Sequence, residues 1–308
     1  MDSGYLDVFF RDIQIALRLL ARQPVFALSV VLVLAAGIGA NSAIFSLANH
    51  VLFQPLPYPD STRLHYVWKR SVERQTPQAH FSAPEYKDFA SGTHSFPELA
   101  AFRNYGASWT GGGPPLRVMT RLATTNYLGM LGVRQLLGRG FVKQEGEFGK
   151  GQVVILSEKF WRTRMGASKD VIGRRMILDN EPHEIIGVAA EQPGEPHLPD
   201  MYLPAAFSPL ELSTREARYL SVLGRLAPSV TPQQATAELN SLCQALGRQY
   251  PVTDSGWTVF LQPAHEELTG PFRQPMLVLL AAVGLLFLIA CFNLLNLMLV
   301  RFGARTKE

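Results

Sequence analysis

The side chains that could do chemistry are scattered along this sequence, and none stands at the spacing of a known metal or catalytic site. The sequence holds seven histidines, among them His80, His94, His183 and His197. None of them forms an HxxxH or HExxH pair, the spacing that puts two imidazoles on one helix face. Two cysteines, Cys243 and Cys291, are too few for a structural zinc site. The sequence therefore predicts no metal ligand.

Nucleotide and acid–base motifs are missing as well. The nearest approach to a phosphate-binding loop is GEFGKG at 146–151, which lacks the Lys-Ser/Thr ending that such a loop needs. The acid pair Glu266 and Glu267 has no nucleophile or base beside it, which favours a solvated face. Trp161, near Phe160 on a predicted helix, is typical of core packing. We therefore assign no catalytic or cofactor-binding residue and predict that the chain is not an enzyme and has no cofactor.

The charge distribution excludes one class of partner. The formal net charge is +4, but residues 53–275 alone hold 23 Lys and Arg against 21 Asp and Glu. A nucleic-acid-binding domain carries a marked basic excess on one face or along a helix. Nucleic acid is therefore not an expected partner. Cys243 lies in this middle region and Cys291 in an apolar stretch, so we expect no disulfide.

Two long apolar stretches, residues 25–52 and 276–300, enclose this middle region, and neither contains a Lys, Arg, Asp or Glu. A helix of 25 residues is about 37 Å long at a rise of about 1.5 Å per residue. That length exceeds the hydrocarbon core of a bilayer, which is about 30 Å thick. The sequence predicts a membrane protein in which two transmembrane helices flank residues 53–275. Its membrane partners would be lipids.

Basic residues set the predicted orientation. Three arginines precede the first stretch, and Arg301, Arg305 and Lys307 follow the second, so both tails should be cytoplasmic. Residues 1–24 have the apolar spacing of an amphipathic helix at the cytoplasmic face, and residues 301–308 form a short tail. The middle region would lie outside the inner membrane. A cleaved signal peptide is the alternative, but the apolar run is longer than the usual 7 to 15 residues.

Polar and small residues inside the stretches suggest helix packing. Asn41 in the first stretch and Asn293 in the second lie at different predicted depths in the membrane, so their side chains cannot hydrogen-bond to each other. Each either faces another helix or hydrogen-bonds locally. Small residues such as Gly37 and Gly39 would let a second helix approach closely.

The middle region reads as a mixed α+β domain. Residues 63–70 and 99–110 alternate like strands, Ser82 is a plausible helix cap, and the clearest helix starts at Thr231. We expect two subdomains. Residues 60–137 and 215–263 would fold together, with 139–207 as an inserted subdomain.

Beyond these patterns, the run at 11–60, from RDIQIALRLL to FQPLPYPD, resembles the opening of MacB/FtsX-type ABC transporter permeases. The likeness is to the branch called acidobacterial duplicated orphan permeases in particular. Further blocks match in the same order: NYLGMLGVRQLLGRGF (126–141), VVILSEKFWRTRMG (153–166), VIGRRMILDNEPHEIIGV (171–188), DMYLPAAF (200–207) and NLLNLMLVRFGARTKE (293–308).

The resemblance implies a MacB-type periplasmic core domain above a homodimeric or pseudo-dimeric permease, moved by a cytoplasmic ABC ATPase on another polypeptide. A periplasmic adaptor or an envelope protein would be a further partner. Permeases of this type continue past the second span, so the chain ending at Glu308 is expected to be a fragment or a truncated reading frame. The tail at 301–308 would be the start of the FtsX-like permease region.

Three functions fit this sequence. The first is the permease part of a MacB-like exporter that couples ATPase motion to the periplasmic domain. The second is an FtsX-like signalling permease that controls an envelope enzyme. The third is a two-span extracytoplasmic sensor, which would need a cytoplasmic output domain longer than RFGARTKE.

Overall fold

The computed structural model describes residues 24–110, 114–191 and 198–305, and these form two compact units. The sheet unit is Pro55–Leu268, and the helical unit comprises the described residues up to Gln54 and from Thr269 on. The amphipathic helix predicted for residues 1–24 lies outside the described residues, apart from its last position. The run Gly-Gly-Gly-Pro-Pro at 111–115 predicts a turn, and residues 111–113 also lie outside the described residues.

The helices of the described residues are α1 (Pro24–Phe53), α2 (Ala83–Gly92), α3 (Tyr127–Met130), α4 (Glu158–Arg164), α5 (Pro209–Ser213), α6 (Pro232–Gln249), α7 (Pro251–Asp254) and α8 (Ala264–Arg305). The strands are β1 (Leu64–Ser71), β2 (Thr76–Ala79), β3 (Glu98–Thr110), β4 (Leu116–Ala123), β5 (Gln135–Gly138), β6 (Val153–Ser157), β7 (Arg175–Leu178), β8 (Glu181–Ala189), β9 (Met201–Pro204), β10 (Ser221–Arg225) and β11 (Thr258–Pro263). Three short 3-10 turns lie at Ser61–Arg63, Lys143–Gly146 and Lys169–Val171.

Within the described residues, the strands of the sheet unit join into one mixed sheet. Its main order is β11-β1-β10-β3-β4-β9-β6-β8-β5, with β2 on β1 and with β7 bridging β3 and β8. The β4–β9 and β6–β8 pairs are parallel, and the other pairs are antiparallel. Because β7 pairs with both β3 and β8, the pairings from β3 through β4, β9, β6, β8 and β7 return to β3 and close a ring. This mixture confirms the predicted interleaving of strands and helices.

Three apolar clusters pack against this sheet. The first holds side chains from β1, α2, β10 and α6, with Phe81 and Leu239 almost fully buried. The third holds side chains from β4, β6, β8 and α4, including Phe160 and Trp161, so the core position predicted for Trp161 is confirmed. The second cluster contains residues from the beginning of the sheet unit, such as Leu56, and from its end, such as Ala264. The predicted division into 60–137 with 215–263 and an inserted 139–207 stays a prediction.

Capping residues fix where the helices begin. Ser82 and Glu85 form a capping box at the start of α2, Ser208 and Glu211 do so at α5, and Thr231 caps α6. In each box, the side chain of the cap residue accepts a hydrogen bond from the backbone N–H of the third helical residue. The Glu or Gln side chain of that third residue accepts one from the backbone N–H of the cap residue. The caps predicted at Ser82 and Thr231 are confirmed. Two short strands, β2 and β5, have no counterpart among the predicted elements.

The predicted second span begins differently from the expectation. The predicted span starts at residue 276, but α8 is helical from Ala264 and contains both Pro271 and Pro275. Each proline removes one N–H donor from the helix, so most backbone bonds of a helix of 42 residues remain. In the described part of the chain, one helical segment, Ala264–Asn293, is long and apolar enough to cross a membrane. The first predicted span is helical throughout as α1, and its crossing of a membrane stays a prediction.

Inside the helical unit, two predicted packing features can be compared with the structure. Asn41 donates to the carbonyl oxygen of Gly37 at 3.1 Å, which is the local hydrogen bond that we considered as the alternative to a partner helix. Gly37 faces Phe287 so closely that an added Cβ would lie 2.8 Å from the ring, whereas Gly39 has open space. The small residue at 37 therefore permits a close approach between α1 and α8, as small residues do in membrane helix pairs.

Candidate functional site

Two polar assemblies stand out in the sheet unit: a buried charge network and an open cleft. The charge network consists of Lys69, Glu85, Asp88, Arg215, Arg218 and Asp254. Lys69 and Glu85 are respectively 2% and 0% exposed, which is rare for charged side chains unless they are paired. Sequence reasoning missed the network because its members are spread from residue 69 to residue 254.

Glu85 lies at the centre of the network. Its Oε1 accepts from Lys69 Nζ at 2.5 Å and from Arg218 at 2.6 Å. Its Oε2 accepts the backbone N–H of Ser82 at 2.8 Å as part of the capping box. The Glu85 carboxylate thus caps the N-terminus of α2. It also neutralises Lys69 of β1 and Arg218 of the segment before β10.

The remaining members extend the network to α7. Arg215 pairs with Asp254 and with Asp88, each at 2.7 Å, and Arg218 reaches Asp254 at 3.3 Å. Arg218 also lies 4.5 Å from the centre of the Trp257 ring, where a cation is attracted to the ring face.

The pKa shifts in the network follow from burial and pairing. Burial alone would raise the pKa of Glu85, but Lys69 and Arg218 outweigh it and lower the pKa of this carboxyl. Burial lowers the pKa of Lys69, and Glu85 opposes that shift only in part. The carboxylates and cations pair with one another, so the network presents neither a free nucleophile nor a free base. We conclude that it holds β1, α2, α7 and the segment before β10 together.

Cys243 packs beside the charge network, and the reactivity of its thiol tests whether solvent reaches this region. Burial raises the pKa of the Cys243 thiol to about 12. Since the thiolate is the reactive form, we expect native Cys243 to resist a thiol reagent such as DTNB for hours at pH 8 and to react within minutes in denaturant. The measurement uses the full chain in detergent with Cys291→Ser, so that Cys243 is the only thiol.

The matched control is Ser241→Cys, two residues away on the exposed side of α6. With Cys243 replaced by Ala, this new thiol should react within minutes in the native chain. Rapid reaction of native Cys243 would contradict the buried position.

The cleft is a separate feature with a volume of about 420 Å³. Arg103 and Tyr105 from β3 form one side, and the turn at Asp179–Glu181 between β7 and β8 forms another. The segment after β9, with Phe207, and the loop that carries Phe148 complete it. This volume falls in the range of small-ligand pockets, about 300 to 1,000 Å³.

Glu211 is the most strongly bonded carboxylate in the cleft. Its Oε2 accepts from the backbone N–H and the hydroxyl of Ser208, each at 2.9 Å, and its Oε1 accepts from the Tyr219 hydroxyl at 2.7 Å. Burial would raise the pKa of Glu211, but the bonds from Ser208 and Tyr219 outweigh it and lower that pKa. Burial and the Glu211 carboxylate raise the pKa of Tyr219. Both oxygens of Glu211 are therefore engaged.

Arg103 is the unusual member of the cleft. Its guanidinium carbon lies 4.8 Å from the centre of the Tyr219 ring and 5.4 Å from that of Tyr105. Its Nε is buried and has no hydrogen-bond acceptor among the described residues. An arginine presents five N–H donors, and a buried donor without a partner is unfavourable.

Of the residues that the sequence singled out, the structure brings two features to one place and leaves the acid pair elsewhere. The loop at 146–151 forms a wall of the cleft, and His183 lines the same cleft. Glu266 is exposed as expected, but Glu267 is half-buried and accepts from the Trp68 ring N–H at 3.2 Å, so its predicted solvated position is wrong. His197 lies outside the described residues. In the described ranges, no three His, Cys, Asp or Glu side chains come together as a metal site would require.

Comparison with known proteins decides the family. A family model described as the MacB-like periplasmic core domain matches residues 27–242, which is most of the chain. The chain belongs to the MacB-like periplasmic core domain family. The match begins in α1 and ends in α6, so it includes both the charge network's Lys69, Glu85 and Arg218 and the cleft's Arg103.

Three solved structures are similar to the chain over about two thirds of its length. A domain described as that of a permease protein from Porphyromonas gingivalis is 19% identical and covers 67% of this chain and 92% of its own, with a TM-score of 0.54. The periplasmic region of MacB from Actinobacillus actinomycetemcomitans is 14% identical, covers 70% and 93%, and has a TM-score of 0.49. The extracellular domain of the ABC-type transporter YknZ is 16% identical, covers 64% and 99%, and has a TM-score of 0.48. No curated protein sequence matches the chain.

The family makes the chain a MacB/FtsX-like ABC permease, as the resemblance implied. Its MacB-like core has the mixed α/β sheet that we predicted. Permeases with this domain are anchored in a membrane with the core domain outside the cytoplasm, and in general they work with an ABC ATPase and as dimers. The acidobacterial branch stays a prediction.

Proposed function

We propose that the chain is the permease part of a MacB-like ABC exporter. In this proposal, α1 and the apolar part of α8 are two membrane spans, both tails are cytoplasmic and the sheet unit lies outside the inner membrane. A cytoplasmic ATPase on another polypeptide supplies the energy. The chain pairs with a second copy or a second permease half, and a periplasmic adaptor or envelope protein is a further partner.

The observation that carries the proposal is the family match over residues 27–242 together with the apolar helix Ala264–Asn293. The match begins within the first predicted span, and the apolar helix follows the sheet unit along the chain. Apolar helices at both ends of an extracytoplasmic core are what a membrane-coupled permease requires. An FtsX-like signalling permease has the same parts, so the choice between the two needs an experiment on cells.

The orientation has a direct test. Val252→Cys places a thiol at an 84% exposed position of the sheet unit, and Thr306→Cys places one in the predicted cytoplasmic tail. We expect a charged maleimide that does not cross the inner membrane to label the Val252→Cys chain in intact cells. The Thr306→Cys chain should be labelled only after lysis.

The unsubstituted chain is the control for background, because its Cys243 is buried. Labelling of the Thr306→Cys chain in intact cells, or protection of the Val252→Cys chain, would overturn the orientation.

Export and signalling are separated by deleting the gene in its host and restoring it on a plasmid. Export predicts that deletion raises the cellular content of amphipathic dyes, that the plasmid reverses this, and that cell-wall hydrolase activity stays unchanged. Signalling predicts the opposite pattern: unchanged dye content and altered hydrolase activity, measured on cell-wall zymograms. The second pattern would replace the exporter proposal.

A further inference from the structure

The cleft contains an arginine that is placed for a ligand. The side chain of Arg103 makes no hydrogen bond and no ion pair with any of the residues that the structure describes, and its Nε is buried. Tyr105 and Tyr219 lie against the guanidinium and orient it. The buried Nε has no acceptor among the described residues, and a molecule bound in the cleft can supply one.

Glu211 does not serve as that acceptor in the structure, because no hydrogen bond joins its carboxylate to Arg103 among the described residues. It lies near enough to interact electrostatically with Arg103, but its two oxygens already accept from Ser208 and Tyr219. The fork of N–H donors on a guanidinium matches a carboxylate better than any other common acceptor, because two parallel hydrogen bonds can form. The part of the cleft beside Arg103 is therefore suited to a carboxylate.

The wall of the cleft is suited to an apolar group beside that carboxylate. Phe148 is 63% exposed and lies on the glycine-rich loop at 146–151, where it lines the cleft. Gly151 packs this loop closely on the segment after β9, since an added Cβ would lie 3.0 Å from the Cβ of Ala206. Leu178 and Phe207 contribute further apolar surface. An exposed aromatic side chain in a cleft is typical of a binding surface.

Another part of the cleft wall carries the opposite charge. Asp179 and Glu181 are exposed in the turn between β7 and β8 and line the cleft. Asp179 Oδ1 accepts the Ser108 backbone N–H at 2.8 Å, which fixes the turn. These carboxylates favour a cationic group at a distance from Arg103, so the cleft is complementary to a molecule that is anionic at one end and cationic farther along.

We propose that this cleft binds the carboxyl-terminal end of a short peptide. The terminal carboxylate pairs with Arg103, the last side chain packs on Phe148, and a basic residue upstream lies at Asp179 and Glu181. The inference does not depend on the choice between export and signalling, so the absence of peptide binding would leave the permease assignment intact.

The test uses the full chain in lipid nanodiscs and two synthetic probes. One probe is the tetrapeptide Lys-Ala-Leu-Phe with a free carboxylate, and the other is the same peptide with a terminal amide. We expect isothermal titration, corrected with empty nanodiscs, to show that the free acid binds about tenfold or more tightly than the amide.

Variants assign the binding to the cleft. Arg103→Met should weaken binding of the free acid about tenfold, whereas Arg134→Met, at an exposed arginine outside the cleft, should leave it unchanged. Phe148→Ala, at a mostly exposed position, should weaken binding of both probes without lowering the melting temperature. If Arg103→Met fails to fold, the Phe148→Ala variant still tests whether the peptide binds in the cleft. Equal binding of acid and amide, equal binding by wild type and both cleft variants, or no binding of either probe would overturn the proposal.

Discussion

Replacing Glu85 with Gln is expected to lower the free energy of unfolding of the sheet unit by about 3 to 5 kcal/mol. The Gln side chain can keep the capping bond to Ser82, but it loses the charge that neutralises Lys69 and Arg218. Lys69 would then be a buried cation with no carboxylate paired to it among the described residues. A buried charge that loses its partner is one of the few causes of such large losses.

The measurement is urea unfolding of the full chain in detergent, followed by tryptophan fluorescence. All four tryptophans lie in the sheet unit, and Trp257 contacts Arg218, so the signal reports on this unit. Glu216→Gln is the matched control, because it removes an exposed acid close in sequence to Arg218 and should change stability by about 0.5 kcal/mol or less. An equal effect of the two substitutions would show that the charge network contributes little.

The same substitution should also reduce the sensitivity to acid. The pKa of Glu85 is lowered in the folded chain, so its carboxylate contributes stability above the ordinary pKa of 4.5. That contribution is lost as the pH falls below 4.5 and through the folded value. Stability of the wild type should therefore fall more steeply below pH 4.5 than stability of Glu85→Gln.

Replacing Gly138 with Ala is expected to cost about 3 kcal/mol of unfolding free energy. Gly138 ends β5 with a φ of +67°, a conformation that L side chains rarely adopt. An added Cβ would also collide with the carbonyl oxygen of Ile186, which accepts the backbone N–H of Arg139 at 3.0 Å. Backbone atoms cannot turn aside as a flexible side chain can, so β5 must shift away from β8.

Gly140→Ala is the control for Gly138→Ala, because an added Cβ at Gly140 has open space and its φ is not positive. Urea unfolding should show a loss of stability only for Gly138→Ala. If both substitutions are tolerated, the backbone conformation assigned to the end of β5 is incorrect.

Local sequence signals predicted most of the regular elements. Ser82 and Thr231 precede helices because a hydroxyl at that position satisfies a free N–H, and this depends only on neighbouring residues. The alternation at 63–70 likewise corresponds to β1, although most of the side chains on both faces of this strand are buried. Such patterns are readable from one sequence because all their determinants lie within a few residues.

The missed features depend on distant partners. The strand β5 has four residues and is held by its pairing with β8, so its own sequence carries little signal. Arg103 sits in a stretch that alternates like any strand, and only the approach of Tyr219, far along the chain, makes its position unusual. Glu85 was identifiable as half of a capping box, but not as the partner of Lys69 and Arg218. The turns of α8 before residue 276 were not predicted, and Pro271 and Pro275 within them are residues that disfavour a helix interior.

The placement of β1 has a consequence for how the protein is made. This strand pairs with β10 on one edge and β11 on the other, and Arg70 and Thr258, which hydrogen-bond across the second pair, are 188 residues apart. During translation β1 therefore leaves the ribosome long before either of these partners exists, and only the short β2 can pair with it early. Unpaired strand edges attract other chains. Newly made chains would therefore need shielding by chaperones until β11 has emerged.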